Sequence, residues 1–106
     1  MDIHPGASIA PTALIDRTYP AGVHIGDRVR IDEEAVILTH DVTRHLELNT
    51  VIGAGSYIGP RAIVMPGVTI GENCVVHAGS IVTRSIPDGA VVIGNPARRI
   101  DEAPQD

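Results

Sequence analysis

His40 is the residue of this chain whose type and surroundings best suit proton transfer. Thr39 and Asp41 flank it, and the segment 43–50 that follows carries a second imidazole, His45, and a carboxylate, Glu47. An imidazole titrates near neutral pH, so it can take a proton from a hydroxyl or amine as that group attacks an electrophile. Asp41 has two open roles: it orients the imidazole, or it is solvated at a turn. His45 and Glu47 are candidates to contact the molecule being modified, the alternative being ordinary solvated loop residues. Cys74 is the only thiol and so the only candidate sulfur nucleophile. Its place in the pattern described next points it inward, as a small core residue. His4, His24 and His77 read as surface residues.

The elements that must hold these groups follow from a repeat of six. Branched aliphatic residues recur at Ile52, Ile58, Val64, Ile70, Val76 and Val82. Four residues after each of the first five comes a mostly small residue: Ser56, Ala62, Val68, Cys74 and Ser80. Gly53, Gly59 and Gly71 directly follow an aliphatic position and are expected to supply backbone angles that other residues resist. The same beat runs through Ile25, Ile31 and Ile37, and through Ile3, Ile9 and Ile15. Its phase slips by two residues between Ile15 and Tyr19, and by three between Ile37 and Ile52, where an insertion is expected at roughly 43–50. A period of six is neither an amphipathic helix nor a continuous strand. It fits a short strand and a corner, three of which close a triangular coil, with the coils stacked in parallel about 4.8 Å apart. About four coils fit in the chain, enough for a stable stack, which generally needs about three repeats. A small antiparallel sandwich would instead place turns roughly 8–12 residues apart. His40, three residues after the inward Ile37, falls off the ladder beside the insertion, and insertions in such arrays map to one face, often the binding face.

Composition agrees. Ile and Val make up about a quarter of the 106 residues, Leu occupies four positions, and Phe and Trp are absent. β-Branched residues without aromatic bulk favour stacked strands. One domain of this size is marginal alone, and the lone Cys74 forms no disulfide within the chain, so oligomerisation is expected. Leu46 and Leu48, apolar in an exposed loop, point the same way. The formal net charge of −5 argues against a nucleic-acid partner, and no apolar run approaches the length of a membrane span. A single cysteine and an N-terminus without signal-peptide character predict a cytoplasmic location. The expected organisation is a β-helix over 1–100 with a C-terminal capping turn, and a disordered acidic tail over 101–106.

The run 64–87, VMPGVTIGENCVVHAGSIVTRSIP, resembles the C-terminal coils of hexapeptide-repeat acyltransferases. The run 91–100, VVIGNPARRI, resembles that family's closing signature. The segment 37–41, ILTHD, followed by an insertion, resembles the catalytic segment of the maltose and galactoside O-acetyltransferases and of those in polysaccharide biosynthesis. The resemblance spans roughly residues 3 to 100. It implies an all-β, left-handed parallel β-helix; the repeat itself does not set the hand, and most parallel crossovers are right-handed. It also implies a homotrimer with sites between subunits, acetyl-CoA as co-substrate, no metal, and direct transfer to a small acceptor, such as a sugar hydroxyl, with His40 as general base. Positions matching the family's coenzyme A contacts are Ala78, Thr83, Arg84 and Arg98, with Arg99 less certain. Ala78 and Gly79 leave room for a pantetheine arm, and an arginine fork pairs with phosphate. Tyr57 is expected beside the cofactor or at a subunit contact. Two other readings stand beside this one. A short stretch before the first repeat suggests a non-catalytic trimeric β-helix or degenerate homologue. Five histidines suggest a zinc carbonic anhydrase of the β-helical type.

Overall fold

A computed structural model describes residues 1–100, and the expected tail, 101–106, lies outside the described residues. The chain winds as a three-sided prism. The first coil comprises β1 (Asp2–Ile3), β2 (Ser8–Ile9) and β3 (Leu14–Ile15). The second comprises β4 (Val23–Ile25), β5 (Arg30–Ile31) and β6 (Val36–Ile37). A hairpin, β7 (His40–Asp41) and β8 (Leu46–Glu47), then leaves the prism. The third coil holds β9 (Thr50–Ile52), β10 (Tyr57–Ile58) and β11 (Ile63–Val64), and the fourth holds β12 (Thr69–Ile70), β13 (Val75–Val76) and β14 (Ile81–Val82). β15 (Val91–Gly94) begins a fifth turn and folds back antiparallel as β16 (Ala97–Arg99), closing that end. Every other pairing between named strands is parallel except that of the hairpin. The expected coil-by-coil stack is borne out.

Register follows side-chain alternation. In the two-residue strands the first side chain faces outward and the second inward, so aliphatics stack in three ladders. One runs Ile3, Ile25, Ile52, Ile70. Another runs Ile9, Ile31, Ile58, Val76, Val92, and the third Ile15, Ile37, Val64, Val82. From the second coil onward these residues are all but fully buried. Each buried aliphatic of this size contributes about 1.5–3 kcal/mol. The small positions fill the corners: Ala35, Ala62, Cys74 and Ser80 are each 0% exposed. Cys74 is thus an inward core residue, its Sγ lying 3.1 Å from the Pro87 carbonyl oxygen.

Three local expectations need correction. The glycines after the ladder residues do not carry the left-handed angles. Those fall two residues further on, at Gly55, Arg61 and Asn73 (φ 76°, 61° and 55°). Gly53 is required for a different reason: a Cβ there would meet the Gly71 carbonyl oxygen of the next coil at 2.6 Å. The first break in phase is the expected slip of two, but Tyr19 is not itself a beat position. Ile15 and Ile25 are the ladder residues on either side, and Tyr19 immediately precedes the one-turn 3-10 segment Pro20–Gly22 between them. The insertion also lies earlier than 43–50, because the hairpin starts at His40 and Thr50 is already buried on β9. Apolar periodicity marks where ladders resume, not where the chain departs.

Candidate active site

His40 stands where the chain leaves the prism after β6, and the neck of that departure is stitched shut. Thr39 is 0% exposed, and its hydroxyl donates to the Tyr19 carbonyl at 2.6 Å. The Leu48 N–H donates to the Thr39 carbonyl at 2.8 Å, and the Thr50 hydroxyl to the Leu38 carbonyl at 2.6 Å. A loop leaving a tight solenoid exposes backbone groups that have lost their ladder partners, and these bonds satisfy them.

Directly beside this neck, one coil earlier, lies Asp16. Ile15 pairs with Ile37, so the residue after each also comes into register, and the Asp16 N–H donates to the Ile37 carbonyl at 2.9 Å. One carboxylate oxygen, Oδ1, accepts from the N–H groups of Thr18 (2.8 Å) and Tyr19 (3.1 Å). The other, Oδ2, accepts from the Thr39 N–H (2.8 Å), the His40 N–H (3.2 Å) and His40 Nδ1 (2.6 Å). Burial by itself would raise the carboxyl pKa. The hydrogen bonds from the Thr39 amide, the His40 ring and the Tyr19 and Thr18 amides outweigh it and hold the group far below the ordinary carboxylate range. An ionised carboxylate only accepts, so Nδ1 of His40 carries a proton, and in the neutral ring Nε2 is the nitrogen that presents a lone pair. The Asp16 side chain is 1% exposed and that of His40 24%, so the carboxylate is buried while the imidazole reaches solvent.

Nε2 is the ring nitrogen left for an open groove of about 560 Å³, lined by Thr18, His40, Asp41, Val42, His45, Leu46 and Glu47. His45 and Glu47 are thus brought together with His40; Glu47 is its direct cross-strand partner. Asp41 takes neither the orienting role nor a purely solvated one. Its Oδ1 accepts from the Thr43 amide and hydroxyl and the Arg44 amide, and its Oδ2 from Arg44 Nε at 2.7 Å. The Thr43 hydroxyl and the Arg44 guanidinium lower its pKa to about 2. Asp16, which the sequence reading missed, orients the ring instead. Its signal was an acid directly after a ladder isoleucine at the first break in phase, one coil before the histidine.

The positions expected to meet coenzyme A divide between two places. Thr83, Arg84 and Arg98 line one groove of about 330 Å³ with Arg99, Ser85 and Pro96, beside the closing hairpin. Ala78 lies in another of about 510 Å³ with Gly79, Glu33, Glu34, Pro60 and Arg61. Gly79 faces open space, with no heavy atom within 4 Å of where a Cβ would stand. Among the described residues Arg84 and Arg98 have no ion-pair partner. Tyr57 lies on β10, its hydroxyl donating to Asp32 at 2.7 Å and its ring 5.6 Å below the Arg30 guanidinium. His77 is exposed at a corner, and both ring nitrogens of His24 are engaged, by Asp2 and Asn49. Among the described residues no three His, Cys, Asp or Glu side chains converge as a metal site, and no helix is long and apolar enough to cross a membrane.

A parallel prism with six-residue sides, and an imidazole–carboxylate pair at an inserted hairpin, is the architecture of a hexapeptide-repeat β-helix. The fold is that of the left-handed β-helix acetyltransferases of solved structure, and residues 49–84 match the family described as "Bacterial transferase hexapeptide (six repeats)". It is similar to the galactoside O-acetyltransferase of Escherichia coli strain K12, with 38% identity over 89 residues, covering 76% of this chain and 44% of that one. Among solved structures it resembles a galactoside acetyltransferase in complex with coenzyme A (37% identity, TM-score 0.72, 81% of this chain and 46% of that one). It also resembles a maltose O-acetyltransferase from Clostridium difficile 630 (27% identity, TM-score 0.70, 93% of this chain and 67% of that one). The chain spans about half the length of the curated relatives it matches.

Proposed function

We propose that the protein transfers an acetyl group from acetyl-CoA to a hydroxyl of a small acceptor, a sugar or a similar molecule. The observation that carries this reading is the His40 ring, pinned at Nδ1 by buried Asp16 with Nε2 left for the groove. The acceptor oxygen attacks the thioester carbonyl while Nε2 takes its proton, and the C–S bond breaks as the thiolate leaves with the electron pair. Asp16 stabilises the imidazolium that forms. Transfer is direct, because the only thiol, Cys74, is buried in the core. Its relatives' names, and the coenzyme A complex of one neighbour, support the donor.

Thr83, Arg84 and Arg98 are proposed to hold the phosphate end of the donor, and the open backbone at Ala78 and Gly79 a stretch of its pantetheine arm. A homotrimer is proposed on the outward face of one sheet. Leu14, Val36, Ile63 and Ile81 stand there in register as a continuous apolar column, with Leu14 47% exposed. Val42 (69% exposed) and Leu46 (38%) on the hairpin add a second uncovered apolar surface. The cytoplasm is the proposed location, where acetyl-CoA is available and an unpaired thiol stays reduced. The test is acetyl-CoA-dependent release of free thiol with a panel of sugar acceptors, by the wild-type protein and by His40→Ala. Loss of turnover by about 10²-fold or more is expected for a general base. Near-normal turnover in the variant would remove His40 from the mechanism.

A further inference from the structure

The groove beside His40 holds a carboxylate that no other described residue pairs with. Three carboxylates stand at or beneath it. Asp16 is saturated by four N–H groups and the imidazole, and Asp41 by Thr43 and Arg44. Glu47 is exposed, lines the groove, and makes no side-chain hydrogen bond or ion pair among the described residues. Arg44, the only guanidinium on the hairpin, is committed to Asp41 and so leaves the Glu47 charge unneutralised.

Position adds to this. Glu47 on β8 is the register partner of His40 on β7. Side chains directly opposite on an antiparallel pair share a face, with Cβ atoms about 4.5–5.5 Å apart. A base and a bare carboxylate therefore flank one opening. The opening is wide enough for a sugar-sized molecule, and the chain's formal charge of −5 favours the approach of cations to the protein as a whole.

We propose that Glu47 selects an acceptor that carries an ammonium group close to its reacting hydroxyl, and that it directs the acetyl group to oxygen rather than nitrogen. This rests on the acetyl-transfer reading above. An ammonium held by Glu47 keeps its proton and has no lone pair with which to attack. The neighbouring hydroxyl, within reach of Nε2, loses its proton to His40. Its oxygen forms the new C–O bond, the C–S bond breaks, and the proton passes from the imidazolium to the departing thiolate or to water. The product is an ester with the amine intact.

The experiment compares cationic and neutral acceptors of matched shape: methyl glucosaminide against methyl glucoside, and ethanolamine against ethylene glycol. Thiol release from acetyl-CoA is read in the wild type, Glu47→Gln and Glu47→Asp. The measured quantity is the ratio of kcat/KM for the cationic over the neutral member, which a general loss of activity does not mimic. The wild type is expected to favour the cationic member. The ratio should fall about tenfold or more in Glu47→Gln, the scale of one charge-assisted hydrogen bond, and recover in part in Glu47→Asp. The product should be an ester, cleaved by hydroxylamine. An equal ratio in wild type and Glu47→Gln, or an amide product, overturns the proposal while leaving acetyl transfer standing. No thiol release from any acceptor overturns the acetyl-transfer reading itself, and this proposal with it.

Discussion

Asp16 and His40 lie 24 residues apart in sequence and one coil apart in space, joined by a 2.6 Å contact between Oδ2 and Nδ1. The same oxygen accepts two backbone N–H groups at the neck of the hairpin. One carboxylate thus fixes the tautomer of the imidazole and anchors the loop that carries it. Asp16→Asn replaces part of an acceptor-only group with a donor facing donors. We expect kcat to fall about 10²-fold or more, with KM for acetyl-CoA changed little. Steady-state kinetics at saturating donor checks this, and a kcat within threefold of wild type would count against an orienting role.

The depressed pKa of Asp16 makes a statement about acid stability. A carboxyl whose folded-state pKa lies below its unfolded value binds fewer protons when folded, so stability falls as pH falls. The contribution is fully present above the unfolded value, about pH 4. It is lost progressively as pH drops through the folded one. The melting temperature should therefore decline below about pH 4 in the wild type and decline less steeply in Asp16→Asn. Parallel melting curves for the two proteins from pH 5 to pH 2.5 would refute the linkage.

Arg84 and Arg98 share a groove without ion-pair partners among the described residues. Each of Arg84→Ala and Arg98→Ala should raise KM for acetyl-CoA by about tenfold while leaving kcat nearly constant, because phosphate contacts remote from the thioester contribute equally to ground and transition states. The same variants should flatten the dependence of KM on salt. If kcat collapses and KM does not move, these arginines are doing something other than holding phosphate.

The apolar column Leu14, Val36, Ile63 and Ile81 is proposed as a subunit contact. Ile63→Lys places a charge in the middle of it without touching the inward ladder. Sedimentation should show the wild type as a trimer and the variant shifted toward monomer, with a lower melting temperature that depends on protein concentration. A wild type that sediments as a monomer would show that this face is free.

Ladder packing sets the last expectation for variants. Ile58 is fully buried between Ile31 and Val76. Ile58→Ala should cost about 2–5 kcal/mol, since neighbouring coils cannot collapse onto the vacated space without breaking their own register. Gly53→Ala should destabilise by a comparable amount for an unrelated reason, the 2.6 Å approach of a new Cβ to the Gly71 carbonyl. Chemical denaturation of both checks this; a loss below 1 kcal/mol in either would be a failure of the packing argument.

The six-residue beat of Ile and Val was enough to determine the coils, their parallel stacking and the inward place of Cys74. In a solenoid each residue's neighbours lie a fixed number of positions away, so a one-dimensional pattern carries three-dimensional contacts. His40 was legible for the same reason, as a polar break beside an insertion. Only the tertiary structure decided what touches His40. The two irregular segments, one after Ile15 and one after Ile37, have no period to set their register against each other. Their alignment depends on Ile15 stacking under Ile37, and only then does Asp16 rather than the adjacent Asp41 reach the ring. Asp41, next to His40 in sequence, turns away because backbone N–H groups and Arg44 of its own hairpin turn satisfy it at shorter range.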